Sequence, residues 1–106
     1  MRLSELDAKF VKYISDREYM RVDTIAEATG VQFLCPKCFQ TNKGRVGTHM
    51  VICWDPSVPQ SMNPKPGRWK LVGTNLEDLT LVAGSSSILL PPPCAWHGFV
   101  KNGDAT

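Results

Sequence analysis

Apolar positions along this 106-residue chain fall in short bursts separated by Gly, Pro, Asn and Ser, and the spacing inside the bursts changes after the first. Leu3, Leu6, Phe10 and Ile14 lie near helical spacing behind Ser4-Glu5-Leu6-Asp7, in which Ser4 can cap free amides and Asp7 stands where a capping-box acid would. The pattern predicts a short N-terminal helix ending near Tyr13. The later bursts are strand-length: Val31–Leu34, His49–Trp54, Trp69–Val72, Leu79–Val82, Ser87–Leu90 and Gly98–Lys101. The last runs into Asn102-Gly103, a type I′ turn pair, with little chain left for a returning strand. Between Asp55 and Gly67, Pro56, Pro59, Pro64 and Pro66 punctuate a stretch without apolar periodicity, an irregular exposed loop. Pro91-Pro92-Pro93 reads as a polyproline II segment that stiffens the approach to Cys94. The expectation is a mostly β, small α+β domain spanning residues 1–106, an antiparallel sheet with one short N-terminal helix.

A chain of this length buries about two-thirds of its unfolded surface, a modest core that a metal crosslink would reinforce. No run reaches the ~18 apolar residues that span a bilayer, and the charged Met1–Phe10 segment resembles no secretory signal, so the expected compartment is the cytosol. Reducing conditions there make the four cysteines ligands rather than a disulfide framework.

Charge alters this picture in one place. The net +2 conceals a basic middle third, where Lys37, Lys43, Arg45, Lys65, Arg68 and Lys70 face Asp55 alone. A solvated surface is the simplest account of these side chains; an anionic partner such as nucleic acid is the alternative.

The chemistry concentrates in Cys35-Pro36-Lys37-Cys38 and Cys94-Ala95-Trp96-His97. Each places two ligands two residues apart, so that one turn brings both to the same ion, and together they supply Cys35, Cys38, Cys94 and His97, three thiolates and an imidazole for a closed tetrahedral Zn²⁺ site. Gly98 suits a left-handed position after the second pair. Lys37, inside the first pair, is placed to offset the net negative charge of three thiolates on Zn²⁺. Cys53 and His49 would share a strand face about 13 Å apart, too far to bind one ion, so at most one could replace a ligand of the set. Cys53 is expected to be a small buried hydrophobe, and His49 a hydrogen-bonded structural residue.

Other chemistries fit less well. A thioredoxin-type couple at Cys35 and Cys38 needs a following helix to lower a thiol pKa, and Phe39–Gly44 is not expected to supply one. A Rieske cluster pairs one Cys with one His in each half-site, unlike Cys35/Cys38. Neither histidine is followed two residues later by the glutamate of a zinc deaminase. Four protein ligands leave no open position for a reactive water, and neither a phosphate loop nor a nucleophile elbow is present. Trp54, Trp69, Trp96, Phe39 and Phe99 could stack bases, but aromatic residues in a small sheet are core first.

Leu3-Ser4-Glu5-Leu6, Phe33-Leu34 before the first cysteine pair, Gly47-Thr48-His49 leading to Cys53-Trp54, Pro66-Gly67-Arg68-Trp69 and the closing Cys94–Gly103 segment together give the chain a resemblance to a family of small bacteriophage and prophage proteins often labelled ammonia monooxygenases. The closing motif carries most of it. The resemblance implies a phage product in the bacterial host cytoplasm and pairs Cys35, Cys38, Cys94 and His97. It implies no activity, and the copper or iron ligands and membrane segments of a monooxygenase are not visible, so that label is set aside. The expected function is that of a non-enzymatic zinc protein, an interaction module such as an inhibitor of a host protein or an assembly accessory. Nucleic-acid binding through residues 37–70 is the alternative, and a metalloenzyme the least favoured reading.

Overall fold

The computed structural model describes residues 1–106. Its main element is a four-stranded antiparallel sheet in the order β2-β1-β3-β4, formed by β1 (Lys9–Ser15), β2 (Glu18–Val22), β3 (Gly30–Leu34) and β4 (Met50–Trp54). A helix, α1 (Pro36–Asn42), separates β3 from β4. Three two-stranded ribbons follow: β5 (Lys70–Val72) with β6 (Thr80–Val82), β7 (Ile88–Leu89) with β8 (His97–Gly98), and β9 (Val100–Lys101) with β10 (Asp104–Ala105). The expected mostly β fold, antiparallel throughout, is what the chain adopts.

The N-terminal helix is not. Leu3–Glu5 makes one 3-10 turn, and Asp7 then takes a left-handed backbone (φ 51°) that turns the chain into β1. The capping acid is Glu5, whose carboxylate accepts the Arg2 amide at 3.0 Å, rather than Asp7. Leu3, Leu6 and Phe10 are buried as a helical stripe would bury them, but Val11, adjacent to Phe10, is buried too. Two consecutive buried residues belong to a strand with a core on each face.

Those two cores organise the sheet. Register places Phe10 opposite Val31 and Val31 opposite Cys53, a row of side chains across three strands. It joins Phe33, Val51, Leu79, Leu81, Ile88, Trp96 and Val100 in the main core, where the Trp96 ring meets Phe33 edge-on at 6.1 Å. On the opposite face Val11 and Trp54 pack with Val58 and Met62 of the Pro-rich loop.

That loop is ordered by Arg68. Its guanidinium donates to the carbonyls of Val58, Pro59, Met62, Pro64 and Gly67 at 2.5–3.0 Å, satisfying a bend that has no ladder of its own. Pro91-Pro92-Pro93 does not run as a polyproline II rod either. The chain turns over Pro92–Cys94, and the Ala95 amide donates to the Pro91 carbonyl at 3.1 Å. The Asn102-Gly103 turn does return the chain, as β10, with φ of 50° and 77° at its two residues.

Candidate metal centre

Cys35 stands at the junction of β3 and α1. It precedes Pro36, the first helical residue, whose fixed φ and missing amide suit a helix start, and its amide donates to the His49 carbonyl at 3.0 Å. That bond continues the β3–β4 ladder by one pair beyond Leu34 and Met50 and holds His49 directly across from Cys35. One helical turn later Cys38 points back to the same place. The third segment arrives from the Pro92–Cys94 turn, after which Ala95 adopts a left-handed backbone (φ 50°).

These segments bring Cys35, Cys38, His49 and Cys94 together, with their ligand atoms all within 4.8 Å of one another. The Cys94 sulfur lies 3.5 Å from that of Cys35 and 3.4 Å from that of Cys38. Thiolates around one tetrahedral ion at ~2.3 Å are separated by about 3.8 Å, so a few tenths of an ångström of adjustment opens the group to a metal. The cluster is close enough to bind one ion.

His97, expected as the fourth ligand, lies outside this group, and His49 takes its place. The reason is strand alternation. Trp96 is drawn into the core and Gly98 is buried, so His97 between them faces outward, exposed beside the Phe99 ring. Gly98 does not take the expected left-handed position; it is required because a Cβ there would strike the Thr106 carbonyl and the Trp96 ring. Cys53, two side-chain alternations further into the sheet than His49, is buried in the main core, where burial alone pushes its thiol far up. His49 and Cys53 therefore stand apart, the histidine in the cluster and the cysteine in the core.

The backbone supports the sulfurs. Burial drives the Cys35 thiol up to about 12, against the amides of Cys38 and Lys37, which point at its sulfur and lower it. Cys38 is raised, first by its hydrogen bond to Cys94 and then by burial. Burial also opposes ionisation at Cys94, but hydrogen bonds from His49, Cys38 and the Trp96 amide outweigh it and bring that thiol down to about 7. Cys94 is therefore the natural first anchor for a cation. The Nδ1 atom of His49 lies 3.3 Å from the Met50 carbonyl, the kind of orienting contact common to metal-bound imidazoles.

A helix does follow Cys35, contrary to expectation, so its absence no longer argues against a redox couple. Both thiols of that pair are raised, and the lowered one is Cys94, far along the chain but 3.4–3.5 Å from them in space.

Half of the basic middle third is engaged within the fold. Lys37 donates to the Cys94 carbonyl at 2.6 Å, Arg45 pairs with Asp7 at 3.3 Å, and Arg68 is occupied in its loop. No helix of the chain is long and apolar enough to cross a membrane. No protein-family model matches the chain, and no curated protein or solved structure matches it.

Proposed function

We propose that this protein is a zinc-stabilised, non-enzymatic interaction module whose metal fastens the turn before β8 to the β3–α1 junction and the adjoining end of β4. The observation that carries this reading is the convergence of Cys35, Cys38, His49 and Cys94 from the β3–α1 junction, the start of β4 and the turn before β8. Three thiolates and one imidazole select zinc among the common cellular cations, and four protein ligands fill its tetrahedral shell without leaving a position for a reacting water. Lys37 on the Cys94 carbonyl offsets the residual negative charge of that centre. The family resemblance supports a phage or prophage setting in the bacterial cytoplasm, with a host or phage protein as partner. The engagement of Lys37, Arg45 and Arg68 within the fold weakens the case for one nucleic-acid-binding surface.

Metal analysis of protein purified without added metal tests the first part: one zinc per chain is expected, lost in Cys94→Ser together with a sharp drop in Tm, since structural zinc in small domains contributes ~10–16 kcal/mol of apparent binding energy at neutral pH. Metal-free protein of unchanged stability would defeat the reading. Capture of partners from host lysate with and without nuclease tests the second part. A nuclease-resistant protein partner supports it, and capture abolished by nuclease would transfer the function to nucleic acid.

A further inference from the structure

β4 is an edge strand of unusual character. Its sequence, Met50-Val51-Ile52-Cys53-Trp54, carries no charge, whereas the opposite edge of the same sheet, β2, carries Glu18 and Arg21. Exposed edges are ordinarily blunted by charge, proline or cover, because their free amides and carbonyls accept another strand. Here cover reaches only one end, where the Trp69 amide donates to the Trp54 carbonyl at 2.9 Å. The bonds from Cys35 N–H to the His49 carbonyl and from Asp55 N–H to the Thr29 carbonyl fix the ladder, so residues 49, 51, 53 and 55 bond toward β3. The Met50 amide and both backbone groups of Ile52 then point away from it, with no partner in the fold.

They point into a groove of about 880 Å³. Four successive residues, Met50 to Cys53, line it, and since their side chains alternate between the two faces, the strand must meet the groove along its backbone edge. Ser87–Leu90 lines the far wall in the same manner. The Leu90 amide donates to the Trp96 carbonyl, which directs Ile88 and Leu90 toward β8 and leaves the amide and carbonyl of Leu89 unpaired. Leu89 is also 69% exposed. Pro64–Trp69 closes one end and Pro91–Cys94 the other. A groove with free strand edges on both walls and apolar side chains between them matches an extended polypeptide, not a helix, whose own backbone is satisfied. Charge narrows the occupant further. No acidic side chain lines the groove, and Lys65, at its Pro-rich end, makes no ion pair within the fold, Asp16 outside the groove feeling its charge only at longer range.

We infer that this groove binds an extended segment of a partner protein, apolar at alternate positions and carrying an Asp or Glu at the Lys65 end, which adds to the sheet as a strand alongside β4. The inference rests on the interaction-module reading and gives it a surface and a ligand class. The cysteine and histidine cluster borders the groove through Cys38, His49 and Cys94, so a metal bound there would tie its two walls together.

A yeast-displayed library of random decapeptides selected on the zinc-loaded full chain tests it. Enriched peptides are expected to alternate apolar residues and to share an acid near one end. A synthetic peptide of the enriched sequence should lose binding by about tenfold or more when alternate amides are N-methylated, because strand addition depends on main-chain hydrogen bonds. Lys65→Glu should weaken it similarly and favour the version with lysine in place of the acid. Ile52→Pro removes an outward amide at a position where an edge strand tolerates proline, and should abolish binding with zinc content intact. Failure to enrich any peptide, enrichment of helically spaced peptides, or indifference to N-methylation would overturn the inference. So would a concentration-dependent dimer by light scattering that Ile52→Pro dissolves, since a second copy would then occupy the groove. If Lys65→Glu and Ile52→Pro leave lysate partners bound, the interaction module stands and only the groove is misassigned; if the zinc-free chain keeps its Tm, the zinc reading fails regardless of what the groove binds.

Discussion

At the scale of single residues, the fourth ligand shows how a ladder bond outweighs sequence spacing. His97 has the correct interval from Cys94, yet the burial of Trp96 and Gly98 turns it to solvent, while His49 is held across from Cys35 by a 3.0 Å backbone bond. His97→Ala should therefore leave one zinc per chain, and His49→Ala should weaken zinc by more than the ~10–100-fold that loss of a supporting contact costs. A competition titration with a chromophoric chelator reads both, and equal affinity in wild type and His49→Ala would place the fourth ligand elsewhere. Cys53 supplies the contrast. It is 1% exposed among apolar neighbours, so Cys53→Ser should keep its zinc but lose about 1–3 kcal/mol in urea unfolding, the cost of a buried hydroxyl without a partner.

At the scale of elements, the close approach of β3 and Trp54 sets a strict demand. A Cβ on Gly30 would lie 2.6 Å from Trp54 Cε3 and 2.9 Å from the Cys53 carbonyl, whereas one on Gly84 would meet nothing within 4 Å. Gly30→Ala should cost about 1–3 kcal/mol by overpacking, and Gly84→Ala close to nothing; thermal melts of the two variants compare them directly. In the second half β5, β6 and β7 were legible in sequence because Gly, Pro, Asn and Ser bracket them, whereas the expected strand Gly98–Lys101 splits at Phe99 into β8 and β9 of two different ribbons; β3 and β4 fall within a residue of their expected limits. β1 was not. Its two-sided burial puts Phe10 beside Val11, which breaks the period-2 alternation, and Leu3 and Leu6 in the preceding 3-10 turn imitate a helical stripe. α1 was hidden for the opposite reason, since Phe39-Gln40-Thr41-Asn42 has no apolar periodicity and the helix forms from the Pro36 start and the left-handed Lys43 stop (φ 55°). Of the metal ligands, the three cysteines were legible as paired motifs, and the histidine depended on a strand register that spacing does not encode.

At the scale of the whole molecule, the thiols couple metal, protons and stability. In the metal-free chain Cys94, lowered from 9.0 to about 7, contributes stability that is present above its unfolded value and lost as pH falls through about 7. Cys35, raised to about 12, contributes stability present below 9.0 and lost as pH rises toward 12. At pH 8 zinc therefore displaces about two protons per ion, chiefly from Cys35 and Cys38, and the release grows as pH falls and Cys94 too becomes protonated. Calorimetric titrations in buffers of different ionisation enthalpy measure these numbers, and proton release that does not grow as pH falls would contradict the ordering of the thiols. A different consequence follows from the seam where Met1 N donates to the Ala105 carbonyl at 2.7 Å, the Leu3 amide donates to the Gly103 carbonyl and the Phe99 amide to that of Thr106. With residues 1 and 106 that near one another, the backbone is almost a closed ring, and where the ring is cut becomes a matter of choice. A circular permutant that joins these ends by a short glycine-serine bridge and opens at the exposed Asp16-Arg17 tip of the first hairpin should still load one zinc and melt within a few degrees of the parent.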